Sequence, residues 1–219
     1  MSKLAKNDFK TRYAGSYLGI VWAFIQPVIT ILVYWFVFSV GFRSGTGDLG
    51  VPFVLYLVAG IVPWFFFQDA LVGGTNSMLE YNYLVKKVVF NISVLPVVKI
   101  ISAMFVHAFF VLFTVILYAA YGKFPDLYYL QIIYYSGCVF ILVLGLSYAT
   151  SAIVIFFRDL TQIINIALQV GVWLTPIMWI AENSPLVGHP VIMKILKLNP
   201  MYYIVSGYRD TFLMKNWFW

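Results

Sequence analysis

The chain has 219 residues, of which 63% are hydrophobic and only 10% charged. Soluble domains carry about 25% charged residues, so this composition excludes an ordinary soluble globular domain. The net charge of +6 is scattered over segment ends without a basic patch beside stacking aromatics. It therefore points to the basic bias of membrane loops rather than to a nucleic-acid partner.

Residues 3–18 read as a helix lying on a membrane surface. Lys3, Lys6 and Lys10 fall on one side, and Phe9, Tyr13 and Tyr17 form the adjoining row at i, i+4, i+8. Lysine stems beside aromatics suit contact with lipid headgroups. Arg12 sits off that row, in a position for a protein contact. The plainer alternative is a charged flank that orients the first span. A long charged stretch ahead of a 22-residue apolar run is unlike a signal peptide, so the first span is expected to be retained.

Residues 20–41, 49–68, 100–122, 127–157 and 160–181 contain no Asp, Glu, Lys or Arg. A helix rises about 1.5 Å per residue, so roughly 20 residues cross a hydrocarbon core. Five spans are predicted, at 20–41, 52–72, 96–121, 127–157 and 160–181, within a single all-α transmembrane domain. Pro27 in the first span is a place for a kink. The glycine-rich stretch 42–51 is a loop, and Gly73-Gly74 ends the second span. Ser77 and Glu80 then fit a capping box that starts a short helix over 77–90, carrying Lys86 and Lys87. Pro96 suits the first turn of span three, with Lys99 close behind. Residues 122–126 form a turn. Arg158-Asp159 is a tight polar turn in which Asp159 caps span five, and that span breaks near Thr175-Pro176. The tail has no charge-free run of spanning length. It reads as two short helices, 190–198 and 201–214, split at Asn199-Pro200, which dip into the bilayer or pack on the outer ends of the spans.

The distribution of Lys and Arg places the amino terminus in the cytoplasm. Inner segments then hold Lys3, Lys6, Lys10, Arg12, Lys86, Lys87, Lys99 and Arg158, against Arg43 and Lys123 in the outer loops. Four further positive charges in the tail work against this bias.

The sequence carries no G-x-x-x-x-G-K-[ST], no H-E-x-x-H and no Cys/His cluster. It therefore has no phosphate-binding loop for ATP, and nothing in it points to an enzyme or to a metal or cofactor held by this chain. Cys138 lies mid-span and suits packing. His107 and His189 are far apart in sequence and fit hydrogen-bonded structural roles better than ligation. Asp69, one turn from the end of span two, is either functional or an interfacial acid paired with a loop lysine. Some of the aromatics suit interface belts. Others, around Pro63 and Trp64, suit stacking on sugar rings or simple packing.

Six segments occur in an order that resembles the type-2 ABC exporter permeases. They are DFKTRYAGSYLGIVWAFIQP at 8–27, GIVPWFFFQDAL at 60–71, YLVKKVVFNISVLP at 83–96, FFRDLTQI at 156–163, LTPIMW at 174–179 and NPMYYIVSGYRD at 199–210. Within that family the chain is most similar to the subgroup exporting O-antigen, teichoic acid or related lipid-linked glycans. The resemblance implies a homodimer in the bacterial plasma membrane, with two separate ATPase subunits that bind ATP and Mg. It implies that residues 3–18 are an interface helix and 77–90 a coupling helix on the ATPase. Arg12, Glu80, Leu84, Val85, Lys86, Lys87, Arg158 and Asp159 are the residues expected at that contact. The tail helices correspond to re-entrant outer gate helices, with Asn199, Pro200, Tyr202 and Arg209 at the gate. An aromatic path is expected to include Trp22, Phe24, Trp64 and Phe66. The family ends with a sixth span and a basic tail, so a truncated chain is expected here. Alternatives are an exporter of a small amphiphile, a membrane scaffold without a path, and a glycan-lipid transferase using Asp69 and Glu80.

Overall fold

The structure is a computed structural model that describes residues 2–42, 50–81, 91–180 and 189–217. Among the described residues there are eight α-helices and no strand. In chain order they are α1 (Ser2–Arg12), α2 (Trp22–Trp35), α3 (Phe53–Glu80), α4 (Val94–Ala120), α5 (Gln131–Ile153), α6 (Leu160–Leu174), α7 (Pro190–Lys197) and α8 (Pro200–Arg209). A 3₁₀ turn leads into α2 and a π turn extends it to Gly41, a 3₁₀ turn precedes α5, and a π turn extends α8 to Met214.

Four helical stretches, Gly19–Gly41, Phe53–Glu80, Val94–Ala120 and Leu127–Ile153, are long and apolar enough to cross a membrane. The fold is built around the second. In α3, 78% of the apolar window is buried by protein, against 11% in the first span. A helix that is apolar all round can be buried on every side, and α3 places Leu55, Leu57, Val58, Ala59 and Ile61 fully inside.

Several expected boundaries move. α3 runs through Gly73-Gly74 to Glu80 and does not end there. The capping box does not form: Ser77 donates to the Gly74 carbonyl within the helix, and Glu80 accepts from Lys99. Gly74 serves a close approach, since a Cβ there would lie 2.2 Å from the Ser147 hydroxyl on α5. The helix expected over 77–90 thus has its first residues in the last turn of α3, and positions 82–90 lie outside the described residues. α1 stops at Arg12 rather than reaching 18. Gly15, at φ +93°, takes a left-handed conformation that favours glycine, and Tyr17 is fully exposed beyond it. The fifth expected span is a 15-residue helix, about 22 Å long. It ends where Thr175 turns extended, at φ −80° and ψ 133°, ahead of Pro176, which lacks an N–H. α7 and α8 lie where the tail helices were predicted. Asn199 accepts from the Met201 N–H as N-cap, and Pro200 occupies the first helical position.

Candidate functional site

At one end of the bundle a charged network fastens α1 to α3 and α4. Arg12 donates through Nη1 to both carboxylate oxygens of Asp69, at 2.8 and 2.9 Å. Lys99 lies 2.7 Å from Asp8 and 2.5 Å from Glu80, and Tyr81 donates to Asp8 at 2.6 Å. The Asp8 and Lys99 side chains are only 3% and 5% exposed. Burial opposes the charge on Asp8, but hydrogen bonds from Lys99 and Tyr81 outweigh it and hold its carboxyl below the usual carboxylate range. Burial likewise opposes the charge on Arg12, and the attraction of Asp69 overrides it and raises the pKa. Asp69 is thus a paired acid, but its partner is Arg12 of α1 and not a loop lysine. Arg12 makes the protein contact that its place off the aromatic row suggested. Phe9 continues the attachment by packing on Tyr13 and on Phe105 of α4. Lys3, Lys6 and Lys10 remain exposed on the far face of α1.

Between α2, α3, α4 and α6 lies a cavity of about 610 Å³. Of the expected path aromatics, Trp22, Trp64 and Phe66 line it. Phe24 is not among the lining residues; it turns to α4 and packs on Phe109 and Phe110. Tyr34 and Trp173 add aromatic wall from α2 and α6. Four carboxamides that the sequence reading passed over also face it: Gln26, Gln68, Asn165 and Gln169. Their signal in the sequence is uncharged polar residues inside otherwise apolar runs, with Asn165 and Gln169 one turn apart. His107 on α4 lines the cavity as well, with its ring 4.7 Å from that of Phe66. Its Nε2 meets Tyr208 at 3.0 Å and Ser136 at 3.2 Å, which is the structural role expected. No group of three or more His, Cys, Asp or Glu side chains among the described residues could hold a metal ion.

The tail helices dock at the opposite end. Arg209 on α8 is buried and lies 3.6 Å over the Tyr56 ring. It donates to the carbonyls of Pro176 and Ile177, while Asn199 donates to Thr175. Tyr56 in turn donates to the Trp179 carbonyl. The irregular turn after α6 is therefore held by α3 and by the tail helices, which satisfies backbone groups that no helix serves. Tyr202 is buried in the same region. Gly60, near Arg209, and Gly73, near Arg12, are about 20 Å apart along α3, so the two polar clusters sit at opposite ends of one helix.

Arg158 and Asp159 are exposed in the turn between α5 and α6. Asp159 stands at the N-cap of α6, but its side chain makes no cap bond and only its carbonyl accepts, from Gln162 and Ile163. Leu84, Val85, Lys86 and Lys87 lie outside the described residues.

The ABC-2 type transporter family profile matches residues 2–213. An O-antigen export system permease protein RfbA of Myxococcus xanthus is 28% identical over 212 residues, spanning 95% of this chain and 78% of that protein. Two proteins of the same name from Klebsiella pneumoniae are 24% and 26% identical, each over 96% of this chain and 78% of their own length. With a match over almost its whole length, and spanning helices of the kind a transporter subunit needs, the chain belongs to the ABC-2 type transporter family.

Proposed function

We propose that the chain is the membrane subunit of an ATP-driven exporter that moves a lipid-linked polysaccharide across the bacterial plasma membrane. The observation that carries this reading is the cavity among the spans, walled by carboxamides and aromatic rings. A polymer rich in hydroxyls cannot cross hydrocarbon unaided, because each unpaired polar group costs about 2–7 kcal/mol. A path offering amides for hydroxyls and ring faces for sugar rings lowers that barrier. The names of the similar permeases, all O-antigen export proteins, support the same substrate class.

Permeases of this family work with an ATPase partner; in this reading that partner binds ATP and Mg, and the lack of a phosphate-binding loop in this sequence supports the division of labour. In this reading the amino terminus is cytoplasmic, and residues 82–90 with the Arg158-Asp159 turn meet the ATPase. The α1 network then carries motion from that contact into α3. α2 and the π turn after it expose Ile29, Leu32, Val33 and Phe36, which suits a homodimer whose two cavities join into one path. The tail helices gate its outer end.

The test is a permease-null strain with its ATPase intact. Wild-type chain should restore surface polysaccharide, and purified chain should hydrolyse no ATP until the ATPase is added. Restored export of small amphiphiles with no surface polysaccharide would replace this reading with the amphiphile exporter.

A further inference from the structure

Resting on the exporter reading, we propose that the cavity between α2, α3, α4 and α6 receives uncharged sugar units of the polymer and discriminates against phosphate-bearing repeats. The inference concerns the polymer, not the lipid that carries it. No Lys or Arg is among the residues lining the cavity, and its polar lining includes the carboxamides of Gln26, Gln68, Asn165 and Gln169. A carboxamide presents both donors and acceptors, which is the complement of a sugar hydroxyl. Gln26, Gln68 and Gln169 are exposed on helices that are largely apolar. Facing hydrocarbon they would be strongly disfavoured, so their place is a wet path or a polar ligand.

The one carboxylate on the wall is Asp69. Both its oxygens accept from Arg12, so the nearest guanidinium is already committed to it. The His107 Nε2 is committed to Ser136 and Tyr208. A phosphodiester entering this space would lose hydration, meet a carboxylate whose charge Arg12 already balances, and find no unpaired cation on the wall. A neutral sugar meets no such penalty. Trp64 lines the same cavity and adds aromatic surface beside the carboxamides.

The test uses the permease with its ATPase partner in nanodiscs and reads tryptophan fluorescence, since Trp22, Trp64 and Trp173 line the cavity. Two probes of equal length are titrated, a neutral mannose oligosaccharide and a glycerol phosphate oligomer. The neutral probe should bind wild type at least about tenfold more tightly. Gln169→Lys should shrink or invert that preference, and Gln169→Ala should weaken the neutral probe without favouring the phosphate one. Equal or tighter binding of the glycerol phosphate oligomer to wild type overturns the proposal, and so does failure of both probes to bind. Surface polysaccharide in the complemented null strain is measured alongside. Intact export with either adverse result removes the neutral subsite alone, and absent export removes the exporter reading with it.

Discussion

Replacing Lys99 with Met removes the cation that two carboxylates share while keeping most of the side chain's bulk. Asp8 would keep the Tyr81 hydroxyl at 2.6 Å and the Arg12 guanidinium at 3.9 Å, but would lose its nearest charge in a site only 3% exposed. Breaking a buried ion pair from one side costs about 3–5 kcal/mol. The two surviving partners reduce this to roughly 2–3 kcal/mol, a factor of about 30 to 150 in the docking equilibrium of α1. Glu80 provides the internal control. Its side chain is 52% exposed, so Glu80→Gln should cost at most about 1 kcal/mol, as exposed pairs do. An isolated helix of 11 residues is marginal in water, so backbone protection over residues 2–12 depends on docking. Hydrogen exchange of that segment in nanodiscs is the assay. Lys99→Met should speed exchange by the factor given, Glu80→Gln by less than about tenfold, and Asp8→Asn combined with Lys99→Met should recover part of the loss. Equal protection in the two single variants would show that α1 is held by its apolar contacts alone and that the network is incidental.

The same network sets a pH expectation. Because the Asp8 carboxyl is held below the usual carboxylate range, its contribution is complete above that range and is lost only as pH falls through the lower folded-state value. Protection of residues 2–12 should therefore be unchanged between about pH 7 and pH 5, and loss of it in that window would contradict the assignment. Gly207→Ala would place a Cβ 2.0 Å from Cζ of Tyr135. It should cost about 1–3 kcal/mol or more in a thermal melt, with Tyr135→Ala in the same chain restoring a share. Arg209→Met leaves the Pro176 and Ile177 carbonyls without their donor, at about 1–3 kcal/mol for each group left buried and unpaired. Its readout is faster proteolysis near 175–180 with the spans intact. Leu84→Asp with Val85→Asp should uncouple ATP hydrolysis from export while insertion is retained, measured as ATPase rate against surface polysaccharide; unchanged coupling would remove residues 82–90 from the ATPase contact.

What the sequence determined by itself was whatever depends on neighbours along the chain. Long uncharged runs must be helices in hydrocarbon, because no other open structure satisfies the backbone there, and α2 to α5 follow. Asn199-Pro200 splits the tail as read, since an N-cap oxygen and a proline at the first helical position act within one turn. The Ser77–Glu80 capping box is equally local, yet the tertiary structure overruled it. Glu80 found Lys99, and α3 gained more by remaining one helix packed on α4 and α5 than by restarting at Ser77. Which faces meet was beyond local reasoning. Arg12 and Asp69 are 57 positions apart, Arg209 and Pro176 are 33 apart, and the rotation of each helix about its axis is set by its neighbours. The rotations that bring Gln26, Gln68, Asn165 and Gln169 to one wall, and turn Phe24 away from it, are decided by packing among four helices, because apolar runs this uniform carry almost no periodic signal of which side is inside.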